Sequence, residues 1–291
     1  MIVEKRNLWI SLSLLIVGIG VALMIFRLFA HQPVLNFGID FTGGSTVLIA
    51  ASDSKNPLLE TDVPTVHTVL TAAGFDHYWV QVTRDHEMII KTELMGHDTR
   101  SNILSNIRQQ VGPIDLLEAD TIGPSIGKEL RQQSIWMALG VGLMLLLYIS
   151  LRFQWTYGVA ALIALAHDGL ITISIAAMLL VEVNTAFVAA LLMILGYSIN
   201  DTIVVFDRVR ELANNYEDQP MAAVANLAIR QTIRRSIYTS VTTALVVGAL
   251  LIFGGVTLKG FCIVLLIGIV SGTYSSIFIA SPILVGLRSP R

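Results

Sequence analysis

The run Gly196-Tyr197-Ser198-Ile199-Asn200-Asp201-Thr202 lies inside a stretch that is otherwise apolar from about residue 185 onward. An ionisable side chain near a bilayer centre costs at least ~2.5–3.5 kcal/mol, so an acid there needs a reason. Tyr197 and Asp201 are four residues apart, as are Ser198 and Thr202, which makes adjacent faces of one helix polar. A second acid, Asp168, follows His167 in another apolar stretch. A third stretch opens with Arg234-Arg235 and continues through Thr239, Ser240, Thr242 and Thr243. A carboxylic acid in low dielectric tends to stay neutral, whereas an approaching arginine or water favours its ionised form. An acid that alternates between two such settings carries protons. On this reading Asp201 is the carrier and Arg235 or Arg234 the mobile counter-charge. Ser198 and Thr239 belong to a water-holding hydroxyl lining, and Asp168 is a second acid on the same path. The membrane potential supplies ~2.3 kcal/mol per charge per 100 mV, enough to shift a two-state equilibrium more than tenfold.

Plainer alternatives stand beside each assignment. Asp201 can be a structural carboxylate bonded to a neighbouring helix, and His167 and Asp168 can satisfy one another. Arg234 and Arg235 can anchor a span end by snorkelling. The Ser/Thr stripe and Gly268-x-x-x-Gly272 read as helix-packing surfaces.

These residues need membrane helices to position them. The chain has 291 residues, 54% hydrophobic and 14% charged, and its mean hydropathy is +0.70. That argues against a soluble enzyme or a disordered tail, and a net charge of −2 gives no basic field for nucleic acid. The single cysteine, Cys262, rules out an intrachain disulfide and a cysteine cluster, and six histidines show no ligand spacing, so neither metal nor cofactor is implied. Six stretches approach the ~20 residues a spanning helix needs: 8–29, 133–151, 156–181, 185–206, 236–254 and 260–287. The first follows Lys5-Arg6, is longer than a signal-peptide core and lacks a small-residue exit, and reads as an uncleaved anchor. Lys5, Arg6, Arg152, Arg208, Arg210, Arg230, Arg234, Arg235, Arg288 and Arg291 all fall on one side, which the positive-inside rule makes the cytoplasm, with both termini there.

The expected organisation is a cytoplasmic N-terminus and first span (1–30), an exported domain (31–132), and five further spans (133–291) with a cytoplasmic loop at 207–235 and a short cytoplasmic C-terminus. In the exported part, a strand at 35–50 alternates around Phe37, Ile39 and Phe41, and Gly43-Gly44 interrupts it as a bulge or turn would. A helix at 62–73, strands at 78–83 and 87–92 around a turn at Arg84-Asp85, a helix at 98–110 and a strand at 116–122 follow. That order, βαββαβ, is the ferredoxin-like arrangement. No nucleophile, base and orienter occur together there, which suits binding or force transmission better than catalysis. The loop 207–235 carries an apolar face at Ala222, Leu227 and Ile229 and reads as a short amphipathic helix on the membrane surface.

Several motifs carry a family resemblance. Gly38-Ile39-Asp40-Phe41-Thr42-Gly43-Gly44, Ala164-Leu165-Ala166-His167-Asp168, Gly196 to Val204 running into Phe206-Asp207-Arg208-Val209-Arg210-Glu211, Thr239-Ser240-x-Thr242-Thr243, Gly254-Gly255 and Gly272-Thr273-Tyr274-Ser275-Ser276 together resemble the SecF family. The similarity covers nearly the whole chain. It implies half of an RND-type transporter, six transmembrane helices with a periplasmic domain between the first two, in the bacterial inner membrane. The implied role is an auxiliary that couples the proton motive force to export of unfolded preprotein through SecYEG. SecD is the implied partner, and YajC and YidC are further candidates. In the family the fourth-span aspartate, here Asp201, and an arginine heading the fifth span, here best matched by Arg235, form the proton path. The match departs at Ser236, where the family usually carries Thr. Gly38, Asp40, Gly43 and Gly44 look like a structural junction feeding the first strand. Two readings compete: an intramembrane aspartyl protease using Asp168 and Asp201, although Asp201 lacks a Gly-x-Gly-Asp setting, and a passive membrane assembly subunit.

Overall fold

In hydrocarbon an unpaired backbone N–H or C=O costs several kcal/mol, and a helix closes all of these bonds within one segment. The long apolar runs accordingly form helices. The computed structural model describes residues 2–53, 57–83, 85–152 and 154–288. Among them are six helical segments long and apolar enough to cross a membrane. The chain divides into two units, Met1–Asn36 with Ser134–Arg291, and Phe37–Gln133.

A 3-10 turn, Val3–Lys5, leads into α1 (Arg6–Phe29). The smaller unit then contains a one-turn helix (Ile39–Thr42), β1 (Gly44–Ala51), α2 (Val63–Ala72), β2 (Tyr78–Val82), β3 (Glu87–Thr92), α3 (His97–Gln110) and β4 (Ile114–Ile122). The four strands form one antiparallel sheet in the order β2-β3-β1-β4. Each β-α-β passage therefore leaves room for one strand between its two strands. Val47 pairs with Ile90 and Ile49 with Met88, so one face of the central strands is apolar. It buries against Val66 and Leu70 of α2 and Ile103, Leu104 and Ile107 of α3. The β1–β4 register slips between Leu48 and Ile49.

The expected single strand at 35–50 is corrected here. Residues Ile39–Thr42 form a helical turn, closed by Thr42 N–H to Gly38 C=O (3.2 Å) and Gly43 N–H to Ile39 C=O (2.8 Å). Gly43 (φ +74°) and Gly44 (φ +124°) then carry the chain into β1 through backbone conformations that side chains disfavour. A Cβ at Gly43 would also lie 3.1 Å from the Pro124 Cα, and one at Gly44 would press on the Thr92 carbonyl. Of the apparent alternation, Phe37 is extended while Ile39 and Phe41 lie in the helical turn, with Ile39 facing inward. Part of the expected turn at Arg84-Asp85 lies outside the described residues, as does Arg291.

Beyond this unit run α4 (Pro124–Arg152), α5 (Trp155–Leu179), α6 (Thr185–Asn215), α7 (Met221–Phe253), α8 (Val256–Ser275), a π-helical turn (Ser276–Ala280) and α9 (Ser281–Arg288). The central windows of α5 and of the last span are 50% and 61% buried, against 11% for α1, α4 and α7. The interior of the larger unit is thus built around α5, α6 and α8, while α1, α4 and α7 present apolar faces outward. Small residues set the spacing. A Cβ at Gly272 would come 2.9 Å from Ser198 Cβ, and one at Gly268 would collide with the Ile194 side chain. The Gly268-x-x-x-Gly272 face therefore seats α8 directly on α6.

The segment 207–235 differs from expectation. It is not a loop carrying a surface helix; α6 continues to Asn215 and α7 already begins at Met221, leaving a link of only 216–220. Its apolar stripe packs inward rather than on headgroups: Val209, Leu212, Val224, Ala225, Ala228 and Ile229 are buried in one cluster. Arg152, closing α4, pairs with Asp207 at 3.5 Å.

Gly268→Leu is expected to push α8 off α6 and cost about 1–3 kcal/mol, as overpacking does. Thermal unfolding of the purified chain in detergent, compared with an outward-facing control such as Val270→Leu, measures it.

Candidate functional site

Helix α5 supplies Asp168 because Ala160, Ala161 and Ala164 let it pack closely on its neighbours, which places the next turn at the centre of the unit. Asp168 is wholly buried (0% exposed). Burial of a carboxylate is tolerable only with donors around it, and three serines from two other helices provide them. Ser198 of α6 and Ser275 of α8 donate to Oδ2 at 2.5 and 2.7 Å, and Ser271 of α8 donates to Oδ1 at 2.7 Å. His167 Nδ1 lies 3.1 Å from Oδ1. Its ring stacks beside Tyr274, and its Nε2 has no hydrogen-bond partner among the described residues. Asp168 and His167 do meet, but the pair is the smaller part of a cage that ties three helices.

Asp201 sits in contrasting surroundings. Its side chain comes from α6, three residues after Ser198, and the residue is 5% exposed. Arg235 of α7 is the cation whose charge acts on this carboxyl, and the Ser236 hydroxyl faces it. Yet neither Asp201 Oδ2 nor Ser236 Oγ closes a hydrogen bond. Ser236 is itself wholly buried (0% exposed), while Arg235 is exposed. An acid with an open oxygen, an orphaned hydroxyl and a guanidinium that reaches solvent therefore occupy one place between α6 and α7.

The other expected site residues are distributed around this pair. Arg234 turns away: its Nε donates to Tyr238 Oη at 3.0 Å and its guanidinium lies 5.3 Å from that ring's centroid. Thr239 spends its hydroxyl on the carbonyls of Arg235 (3.1 Å) and Ser236 (2.9 Å) in its own helix, and Thr242 and Thr243 do likewise. Ser240 alone of that stripe turns inward, accepting from Tyr197 Oη at 3.2 Å and lying 2.5 Å from Thr273 Oγ1. Gly38, Asp40, Gly43 and Gly44 lie in the smaller unit's entry turn. Asp168 and Asp201 make no contact; Asp168 spends both oxygens on serines.

Residues to which the sequence reading gave no part in the site complete the network. Ser271, Ser275 and Ser276 all lie on the last span, and Ser276 Oγ bonds Thr202 Oγ1 at 2.8 Å. The available signal was the helical spacing of Ser271 and Ser275 and their position in an apolar run.

Six membrane-length apolar helices around a buried polar network define a multi-pass membrane protein. Residues 103–289 match the model described as protein export membrane protein SecD/SecF, C-terminal, and residues 32–55 match the SecD/SecF GG motif. The SecF subunit of Sebaldella termitidis is 40% identical over 273 residues, covering 91% of this chain and 87% of that one. The SecF subunit of Haemophilus influenzae is 36% identical over 290 residues, covering 98% and 86%. The chain belongs to the SecF family of protein translocase subunits. A crystal structure of SecDF from Thermus thermophilus, titled a translocon-associated membrane protein, superposes with a TM-score of 0.84 at 34% identity, covering 98% of this chain and 38% of that one. A second SecDF structure, in a super-membrane-facing form, gives a TM-score of 0.68 at the same 34% identity.

Each serine donating to Asp168 satisfies a charged or polar acceptor worth about 1.5–3 kcal/mol. Ser271→Ala and Ser275→Ala are each expected to lower unfolding stability by about that much. The lipid-side control Ser150→Ala should change it by less than about 0.5 kcal/mol. Chemical denaturation in mixed micelles distinguishes them, and equal effects at all three sites would remove the cage from the account.

Proposed function

We propose that this chain is the SecF half of a proton-driven export auxiliary, with Asp201 as the proton-carrying acid and Arg235 as its counter-charge. The observation that carries the reading is the incomplete bonding of Asp201: a carboxyl oxygen buried within a span, facing an equally unbonded Ser236, with a solvent-reaching guanidinium beside it. A structural carboxylate is expected to resemble Asp168, with every oxygen answered. An acid that must take up and release a proton needs a site that closes differently in its two protonation states. Arg235 suits the counter-charge better than Arg234, which is held on Tyr238. Asp168 then acts as the fixed hub against which α6 and α8 move, with Ser198 linking it to the Asp201 helix.

The missing half is SecD. The relative from Thermus thermophilus is a single SecDF chain, of which the present chain spans 38%. The outward apolar faces of α1, α4 and α7 leave surface for such a partner and for lipid. Working with the SecYEG channel, and with YajC and YidC as further associates, the pair draws an unfolded preprotein outward. The βαββαβ unit is the ferredoxin-like periplasmic domain that handles it; the two termini are cytoplasmic, and the membrane is the bacterial inner membrane. The super-membrane-facing form of SecDF matches this chain less closely than the other structure does, which supports a relative that moves between arrangements.

Proton flux into vesicles containing this chain, SecD, SecYEG and a stalled preprotein tests the reading. Asp201→Asn should abolish flux, Arg235→Lys should reduce it strongly, and Arg234→Lys should cost less than Arg235→Lys. Undiminished conduction in the asparagine variant would instead favour a passive assembly subunit.

A further inference from the structure

At the end of the larger unit where α1 and α7 begin, Ile2, Lys5, Trp9, Asn226 and Arg230 line a cavity of about 330 Å³. Its walls are built rigidly. Asn226 is buried (5% exposed) and its Oδ1 accepts from the backbone N–H groups of Ile2 (2.9 Å) and Val3 (3.2 Å), while its Nδ2 donates to Ala222 C=O (2.8 Å). That pins the N-terminal turn against α7. Trp9 is fixed from the other side: its Nε1 donates to Ile2 C=O at 3.3 Å and its ring lies 4.4 Å from that of Phe278. The nearby acid, Glu4, hydrogen-bonds Asn226 Nδ2 at 3.4 Å and does not line the cavity.

Several other cations at the same end of the bundle already have partners. Arg152 pairs with Asp207, Arg208 with Glu211, Arg234 with Tyr238, and Arg288 lies over Tyr157 and against Gln154. Among the described residues neither Lys5 nor Arg230 has an acidic partner. A fork of guanidinium donors and an ammonium converging on one concavity suit a phosphate oxyanion. Position along the helices selects its source. Lys5 marks the start of the apolar run, Trp9 sits where indoles meet headgroups, and Leu8, Leu12 and Leu15 continue the same helix as an exposed apolar stripe, 59%, 45% and 59% exposed.

We propose that this cavity binds the phosphodiester of an acidic phospholipid, seated between Lys5 and Arg230 with its acyl chain along the Leu8–Leu12–Leu15 stripe of α1. The bound lipid would fasten the N-terminal turn to the start of α7, the helix that carries Arg235. The site is independent of the proton-path reading above.

Native mass spectrometry of the full chain, released from nanodiscs of phosphatidylglycerol and phosphatidylcholine, reads the retained lipid directly. Wild type is expected to keep phosphatidylglycerol in preference to phosphatidylcholine. Lys5→Gln with Arg230→Gln should lower that retention about thirtyfold, from the loss of two interfacial cations. The charge-keeping Lys5→Arg with Arg230→Lys should restore most of it. Arg6→Gln with Arg210→Gln removes the same charge at the same end outside the cavity and should leave retention intact. Should the glutamine pair fail to fold, hydrogen exchange on the unaltered chain still decides: phosphatidylglycerol should slow residues 2–9 and 221–230, and phosphatidylcholine should not. Equal losses in the two glutamine pairs, or exchange indifferent to lipid charge, would overturn the site. Displacement of the lipid by millimolar inorganic phosphate would overturn the lipid as its occupant.

Discussion

A carboxyl group folded into an apolar helix bundle needs donors delivered from the helices around it, because neither lipid nor hydrocarbon side chains supply any. The larger unit depends on how that demand is met at Asp168. Ser198 approaches from α6 and Ser271 and Ser275 from α8, so the acid on α5 fixes the mutual position of three helices. Hydrophobic contact alone cannot do this in a membrane, where lipid tails are as apolar as the side chains they replace. The directional bonds to one acid supply the register that oiliness does not.

That geometry is available only because the helices come close together. Gly272 leaves Ser198 the space it occupies, and Gly268 does the same for Ile194. Small residues and the serine cage are therefore parts of one arrangement: glycine permits the approach, and the hydroxyls use it. The π-helical turn at Ser276–Ala280 follows directly. A π turn adds one residue to a helical repeat and leaves backbone bonding irregular. Here Ser281 Oγ donates back to the Ser276 carbonyl at 3.1 Å, and Ser276 Oγ bonds both Thr202 and the Gly272 carbonyl. The turn thus aims a hydroxyl at the α6 residue next to Asp201 while keeping its own carbonyl answered.

Asp201 stands apart from this closed network. Three residues along the same helix from a serine locked to Asp168, it lies near Ser236 and Arg235 with its Oδ2 lacking a hydrogen-bond partner among the described residues. The two aspartates of this unit therefore differ in their bonding: both oxygens of Asp168 accept from serines, whereas Asp201 Oδ2 has no hydrogen-bond partner among the described residues. Helix α6 carries both Ser198 and Asp201, about 4.5 Å apart along its axis.

The sequence by itself determined the number of spans, the βαββαβ order, and Asp201 as an acid out of place, since each rests on local pattern: run length, periodicity, or a charge in an apolar stretch. It did not determine the Ile39–Thr42 turn, because alternating apolar residues suit a strand or a short helix and the choice is made by what Gly43 and Gly44 pass against. It misplaced 207–235, since an amphipathic face looks the same whether its apolar side meets headgroups or another helix, and here Val209 and Leu212 meet Ala225 and Ile229. Which arginine faces Asp201, and that Ser271 and Ser275 rather than His167 chiefly hold Asp168, were decided by tertiary structure alone. Adjacent residues on a helix point about 100° apart, so neighbours in sequence such as Arg234 and Arg235 look into different surroundings, and only the packed helices show which of them lies near enough for its charge to act on the acid.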